Sequence, residues 1–178
     1  ILKRGRVHVA GIERGRSGVP LPIPPASEGA PLFMSPTASP SPAPSDERLA
    51  GELAYRERQH ALLARFGALA LKSTDVGALL QTATEMCAEG LRAEMCKALE
   101  RLPGDDYLLV RAGVGWREGV VGTARVGADL ASPAGYALKT GEPVISNHLG
   151  RETRFRTPQL LQEHGVKRAI NVVIRGDG

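Results

Sequence analysis

Proline sets the first limit on this chain. Nine of its 13 prolines lie between Pro20 and Pro44, and the stretch 35–45 has no apolar periodicity. Each proline removes a backbone donor and fixes φ, so such a run favours extended, solvated backbone over helix or sheet. Residues 1–46 therefore read as a disordered tail, basic at its start and then rich in Pro, Ser and Ala. Whatever packed core the 178 residues hold must come from 47–178, a length that suits one domain.

Charge follows the same division. Lys3, Arg4, Arg6, Arg14 and Arg16 supply five of the 23 basic residues, while the tail to Asp46 holds three of the 19 acidic ones. Residues 47–178 thus carry 18 basic and 16 acidic side chains. A nucleic-acid partner would call for positive charge concentrated on the folded face, and none is expected. Aromatic residues make up 4%, so the core must be built mainly of Leu, Val, Ile and Ala. Cys87 and Cys96 lack metal-ligand spacing and do not make a disulfide framework. A reducing cytoplasm is the default location. No apolar run approaches the ~20 residues that span a bilayer.

From Asp46 the pattern turns helical. Leu49, Leu53, Leu62, Leu63, Phe66, Leu69 and Ala70 recur near a 3.6-residue period, with Asp46 as N-cap. A second helix, capped by Ser73 or Thr74, carries Val76, Leu79, Leu80, Ala83, Cys87 and Leu91 on one stripe. Then the period drops to two. Met95–Leu102 and Tyr107–Val114 read as antiparallel strands joined by a turn at 103–106. A glycine-rich loop follows over 113–122. Ser132 and Pro133 predict a helix start that runs to Gly141, serine as cap and proline at N1. A short strand is expected at 142–146. Thr157 and Pro158 repeat the start signal for a helix ending near Gly165, and 169–174 reads as a strand. The Asp177–Gly178 pair is a hairpin-turn signal, which suggests that the chain stops short of a further strand.

No catalytic constellation assembles. There is no phosphate-binding Gly-x-x-x-x-Gly-Lys loop, no nucleophile elbow and no His-Glu-x-x-His helix. Gly113, Gly115 and Gly119 have the wrong spacing for a dinucleotide fingerprint. His60 reads as an exposed helix residue. His148 and His164 could meet as metal or haem ligands, but two histidines without carboxylate or cysteine support are weak evidence. Asp105 and Asp106 are explained by their turn. The expectation is no enzyme and no metal.

The run 126–147, with its short helix and the Thr140-Gly-Glu-Pro-Val144 segment, resembles the GAF family of bacterial signalling proteins. The likeness continues through 152–158 and 165–174 and covers residues 62–178. It is most similar to GAF modules that precede histidine-kinase cores. The resemblance implies an α+β (α/β) sandwich, with an antiparallel sheet of five or six strands, terminal helices on one face and a ligand pocket under short helices on the other. It makes Trp116, Tyr136, His148, Phe155, His164 and Asn171 candidate liners of that pocket. No cysteine follows Cys96, so a covalently held bilin is disfavoured. The Asn-Lys-x-Asp-Glu motif of cyclic-nucleotide binders is absent, and the cysteines lie outside the region used by GAF-like methionine sulfoxide reductases. The ligand itself stays unknown. The resemblance also places the family's last strand in mid-sheet. Without that strand, 47–178 would expose two strand edges and the chain alone would be marginal or insoluble. Two functions fit: a cytoplasmic sensory input module of a histidine kinase, relaying a small-molecule signal through flanking helices, or a ligand-free dimerisation scaffold in which helix 47–72 pairs with its copy.

Overall fold

The computed structural model describes residues 7–13, 46–102 and 104–174. Strand β1 (Val7–Glu13) comes first. Helices α1 (Asp46–Ala70) and α2 (Val76–Leu91) follow, then β2 (Met95–Arg101), β3 (Tyr107–Val114) and β4 (Arg125–Gly127). Helix α3 (Pro133–Thr140), β5 (Val144–Ser146), a 3-10 turn at Leu149–Arg151, α4 (Gln159–Glu163) and β6 (Arg168–Ile174) complete the order. The strands form one antiparallel sheet, β4-β3-β2-β1-β6-β5. This is the expected α+β architecture. Among the described residues no helix is long and apolar enough to cross a membrane.

The main correction concerns β1. Residues 7–13, assigned from sequence to a disordered tail, occupy the middle of the sheet. Val7–Ile12 pair with Glu100–Met95 of β2, and Val7–Glu13 pair with Ile174–Arg168 of β6. The place expected to stand open is therefore filled by a strand from the opposite end of the chain. The rest of the expected tail, 1–6 and 14–45, lies outside the described residues, as does the turn signal at 175–178.

β2 is the deepest element. Met95, Cys96, Lys97, Ala98 and Leu99 are all buried, so both of its faces are covered. One face meets α2 through small residues. Ala98 and Ala112 pack with Leu80, and Cys96 packs with Ala88, Cys87 and Val114. Small side chains let the helix approach the sheet closely. A β-bulge between Ala98 and Leu99 shifts the pairing of β3, so that Leu99 faces Val110 while Ala98 faces Ala112. The extra residue, Arg111, flips the alternation. Leu108 and Val110 therefore face away from α2, whereas Ala112 and Val114 face it.

The helices differ from expectation in detail. Asp75, and not Ser73 or Thr74, caps α2, its carboxylate accepting the Ala78 N–H at 3.1 Å. The stripe expected on α1 divides. Tyr55, Gln59, Leu62, Phe66 and Ala70 are half-buried. Within this stripe Gln59 donates to the Gly90 carbonyl and the Arg92 guanidinium lies over the Tyr55 ring. Leu49, Leu53 and Leu63 are exposed, at 50, 59 and 68%.

At the far edge, β5 is tied to the segment that follows it. Glu152 accepts from the Ser146 hydroxyl at 2.8 Å and pairs with Arg154 at 2.7 Å, while Arg154 also donates to the Ile145 carbonyl. The Arg154 guanidinium holds the Glu152 carboxyl down at about 2.

Two outcomes follow from this architecture. Deleting residues 1–13 should leave β2 and β6 with unpaired edges and drive the shortened chain to aggregate, seen by size-exclusion chromatography and loss of a cooperative melt. A shortened chain that stays monomeric with an unchanged melt would contradict the central role of β1. The second concerns acid. The folded-state pKa of Glu152 lies below its unfolded value, so its stabilisation is complete above pH ~5 and is lost as pH falls through ~4 toward 2. Glu152→Gln should flatten that acid limb of the melting temperature. An identical acid limb in the variant would show that other carboxylates carry it.

Candidate functional site

The face of the sheet turned away from α1 and α2 is roofed by short elements. Their starts are set by local chemistry. The Ser132 hydroxyl accepts the Gly135 N–H, and Pro133 sits where a missing donor costs nothing. Gly141, φ 77°, closes α3 in the left-handed region. Gly135 has no room for a side chain, because a Cβ there would meet the Asp129 carbonyl. α4 starts one residue later than expected, with Pro158 at its cap position, since the Thr157 hydroxyl instead donates to the Leu149 carbonyl.

Three apolar clusters lie beneath this roof. Met95, Leu149, Leu161, Val166 and Ala169 form one, with Trp116 packed on it. Leu99, Leu108, Val110, Val126, Ala128, Ala134 and Leu138 form the second. Ala137, Val144 and Phe155 form the third, flanked by Tyr136 and Val173.

The six residues singled out from sequence divide among these clusters. Trp116 and His164 meet edge to face, ring centroids 4.9 Å apart. The buried His164 is oriented from both sides. Its Nδ1 lies 2.8 Å from the Leu160 carbonyl, and its Nε2 accepts from the Arg117 backbone N–H and Nε. Tyr136 and Phe155 form a second edge-to-face pair at 5.2 Å. Asn171 is buried on β6, and its Nδ2 has no hydrogen-bond partner. His148 stands apart, exposed at the start of the 3-10 turn. Among the described residues no group of three or more His, Cys, Asp or Glu side chains could hold a metal.

Sequence reasoning missed Lys97. It is only 2% exposed, and its ammonium lies 4.8 Å from the Trp116 ring centroid. Burial pushes its pKa down to about 8. Pairing puts Gly113, Lys97, Ala10, Asn171 and Val144 in one row across β3, β2, β1, β6 and β5. In-register residues of antiparallel strands share a face, so Lys97 and Asn171 both point under the roof. Gly113 leaves room for the indole. A Cβ there would lie 2.8 Å from Trp116 Cδ1. The Trp116 Nε1–H donates to the Cys96 carbonyl at 2.7 Å. From the opposite side the Gln81 amide brackets Gly113, donating to its carbonyl and accepting its N–H, each at 3.2 Å.

A separate cleft of about 510 Å³ opens where β3 and β4 meet residues 156–160. Arg101, Arg125, Lys139 and Arg156 face Asp106 and Asp129 across it. Two of these cations are engaged, Arg156 with Asp129 at 3.0 Å and Arg125 with Asp105 at 3.4 Å. None of the six predicted residues lines this cleft.

This geometry agrees with what the chain is similar to. Residues 75–178 match the family model described as "GAF domain". The GAF domain of a phosphoenolpyruvate-protein phosphotransferase from Coxiella burnetii superposes with a TM-score of 0.53 at 15% identity, over 66% of this chain and 77% of that one. The nlh2 GAF domain of A. aeolicus, in an inactive state, gives 0.51 at 8% identity, over 70% and 83%. No curated protein matches the chain. The chain belongs to the GAF family, whose members are regulatory and sensory modules.

The contact between Gly113 and the indole makes a direct test. Gly113→Ala should displace Trp116, break its bond to the Cys96 carbonyl and cost about 1–3 kcal/mol. Denaturant unfolding followed by the fluorescence of this single tryptophan reads both effects. An unchanged emission maximum with unchanged stability would show that the indole does not rest on Gly113.

Proposed function

We propose that this chain is a non-catalytic sensory module that binds a small molecule on the roofed face of its sheet. The observation that carries the reading is Asn171. Buried polar groups in folded proteins are almost always hydrogen-bonded, and an orphan costs about 1–3 kcal/mol. Among the described residues, Asn171 Nδ2 is the buried side-chain atom left without a partner. A ligand that accepts from it repays that cost. Trp116, Tyr136, Phe155 and His164 surround the same layer and are the residues we assign to ligand contact. His148, being exposed, is assigned at most to the rim. Covalent bilin and cyclic nucleotides remain disfavoured for the reasons given by the sequence.

The parent protein in this reading is a cytoplasmic histidine kinase of a two-component system, with α1 passing the signal onward. A ligand shifts such a system only by its differential affinity for two packings. A second reading, a ligand-free dimerisation scaffold, draws support from α1. This helix has no buried residue, and Leu49, Leu53 and Leu63 lie exposed along it. A homodimer through α1 is compatible with both readings.

Screening a panel of small metabolites against the full chain by thermal shift separates them. A ligand at 100 times its Kd should stabilise the fold by about 2.7 kcal/mol. Asn171→Leu should abolish the shift without lowering the ligand-free melting temperature. A panel with no hits, together with a concentration-dependent dimer lost in Leu53→Asp, would favour the scaffold.

A further inference from the structure

We propose that the roofed face binds a compact oxyanion, a carboxylate or phosphate group, held between the Lys97 ammonium and the Asn171 amide beside Trp116. The proposal rests on the sensory reading above and adds the chemical class of the ligand.

Three observations support it. The first is placement. Lys97 and Asn171 pair with the same residue, Ala10, from opposite sides, so they lie on one face two strand spacings apart. That is ~10 Å between Cα atoms, so a small group between the two side chains could meet both from one face. The second is unmet donor capacity. An ammonium has three donors and no acceptor, and an amide NH₂ has two donors. Asn171 Nδ2 has no partner. Among the described residues no carboxylate lies within ion-pair distance of Lys97. Glu152, Glu163, Asp129 and Glu100 are engaged by Arg154, Arg117, Arg156 and Arg111, and Glu94 and Glu118 are exposed.

The third is the position of the cation relative to the core. Met95 and Leu99, two residues to either side of Lys97 on the same face, belong to two different apolar clusters. Ala169 and Val173 likewise place Asn171 between two clusters. The polar pair therefore lies where the core is interrupted. The Trp116 face offsets part of the burial cost of a charge, but an isolated buried charge costs more than a cation–π contact returns. Oxyanion oxygens only accept, so one group satisfies both donors and neutralises the charge. A neutral carbonyl would satisfy the amide and leave the charge unpaired.

Trp116 is the only tryptophan, so its fluorescence reports directly on the site. The full chain is titrated with acetate, oxalate, succinate and inorganic phosphate at constant ionic strength, with acetamide and succinamide as neutral counterparts. We expect at least one anion to give a saturable change at a concentration about tenfold below its neutral counterpart. Whether a carboxylate or phosphate responds identifies the source. Lys97→Met removes a buried charge and should fold at least as well as the parent, while weakening that anion about tenfold or more. Asn171→Leu should weaken it as well. Equal affinity for anion and neutral counterpart would overturn the anion class and leave the sensory reading standing. So would unchanged affinity in a folded Lys97→Met. No saturable response to any anion overturns the proposal, and the metabolite panel then judges the sensory reading alone.

Discussion

The structure depends on the pairing of both edges of β2 and β6 in mid-sheet. β2 is buried on both faces, and a strand in that position can leave neither its N–H nor its C=O groups unpaired without a cost near that of a lost hydrogen bond each. β3 satisfies one edge. β1 satisfies the other and presents its own far edge to β6. Everything under the roof follows from this continuity. The Trp116 cluster spans the join, with Met95 on β2 and Ala169 on β6, and Lys97 and Asn171 become neighbours on one row only because β1 lies between them.

The two faces of the sheet are built for different purposes. Toward α2 the contacts are Ala98, Ala112, Ala88 and Cys96, small residues that allow a close approach. In that interface Cys96 packs against Cys87, and that second thiol, together with burial, pushes the Cys96 thiol up. Toward the roof the covering elements are three to eight residues long. They are held by caps, an ion pair and aromatic edges. A roof of short pieces opens at lower free-energy cost than a long packed helix, because each piece carries few buried contacts.

Much of this was legible in the sequence, and the exceptions share physical causes. α3 was readable because Ser132, Pro133 and Gly141 are each required by backbone geometry at a helix end. β3 was readable to the residue from its alternation. The α1 stripe was misread in part, because Leu49, Leu53, Leu63 and Leu69 follow the helical period yet are exposed among the described residues. β1 was invisible. Its partners lie some 90 and 160 positions away, and pairing at that distance leaves no local periodicity. Only the expected gap in mid-sheet hinted that a strand was needed. The site shows the same division. Trp116, Tyr136, His148, Phe155, His164 and Asn171 were singled out as candidates through family likeness. Lys97 was not, because a lysine beside Glu100 and Arg101 in an alternating strand reads as solvent-facing. Only the depth of β2 reveals it as buried.

The residues around Gly113 also connect the roofed face to the helices by direct contacts. On one side of Gly113 lies the Trp116 indole, and on the other the Gln81 amide from α2 grips its N–H and C=O. Beside it, the Cys96 carbonyl receives the indole N–H while the Cys96 side chain packs against Cys87 and Ala88 of α2. A group that shifted the indole would strain both bonds at once, and α2 is the element that bears the strain. α1 then rests on α2 through Leu62, which lies against Gly90, and through the polar contacts of Gln59, Arg58 and Tyr55. The polar contacts are half-exposed, each worth about 1 kcal/mol or less, and no residue of α1 is buried. The weak joint in the chain of contacts is thus between the two helices and not between sheet and helix. A small movement of α2 is better able to re-pose α1 than to deform the sheet beneath it, because the sheet side of α2 is close-packed and resists displacement.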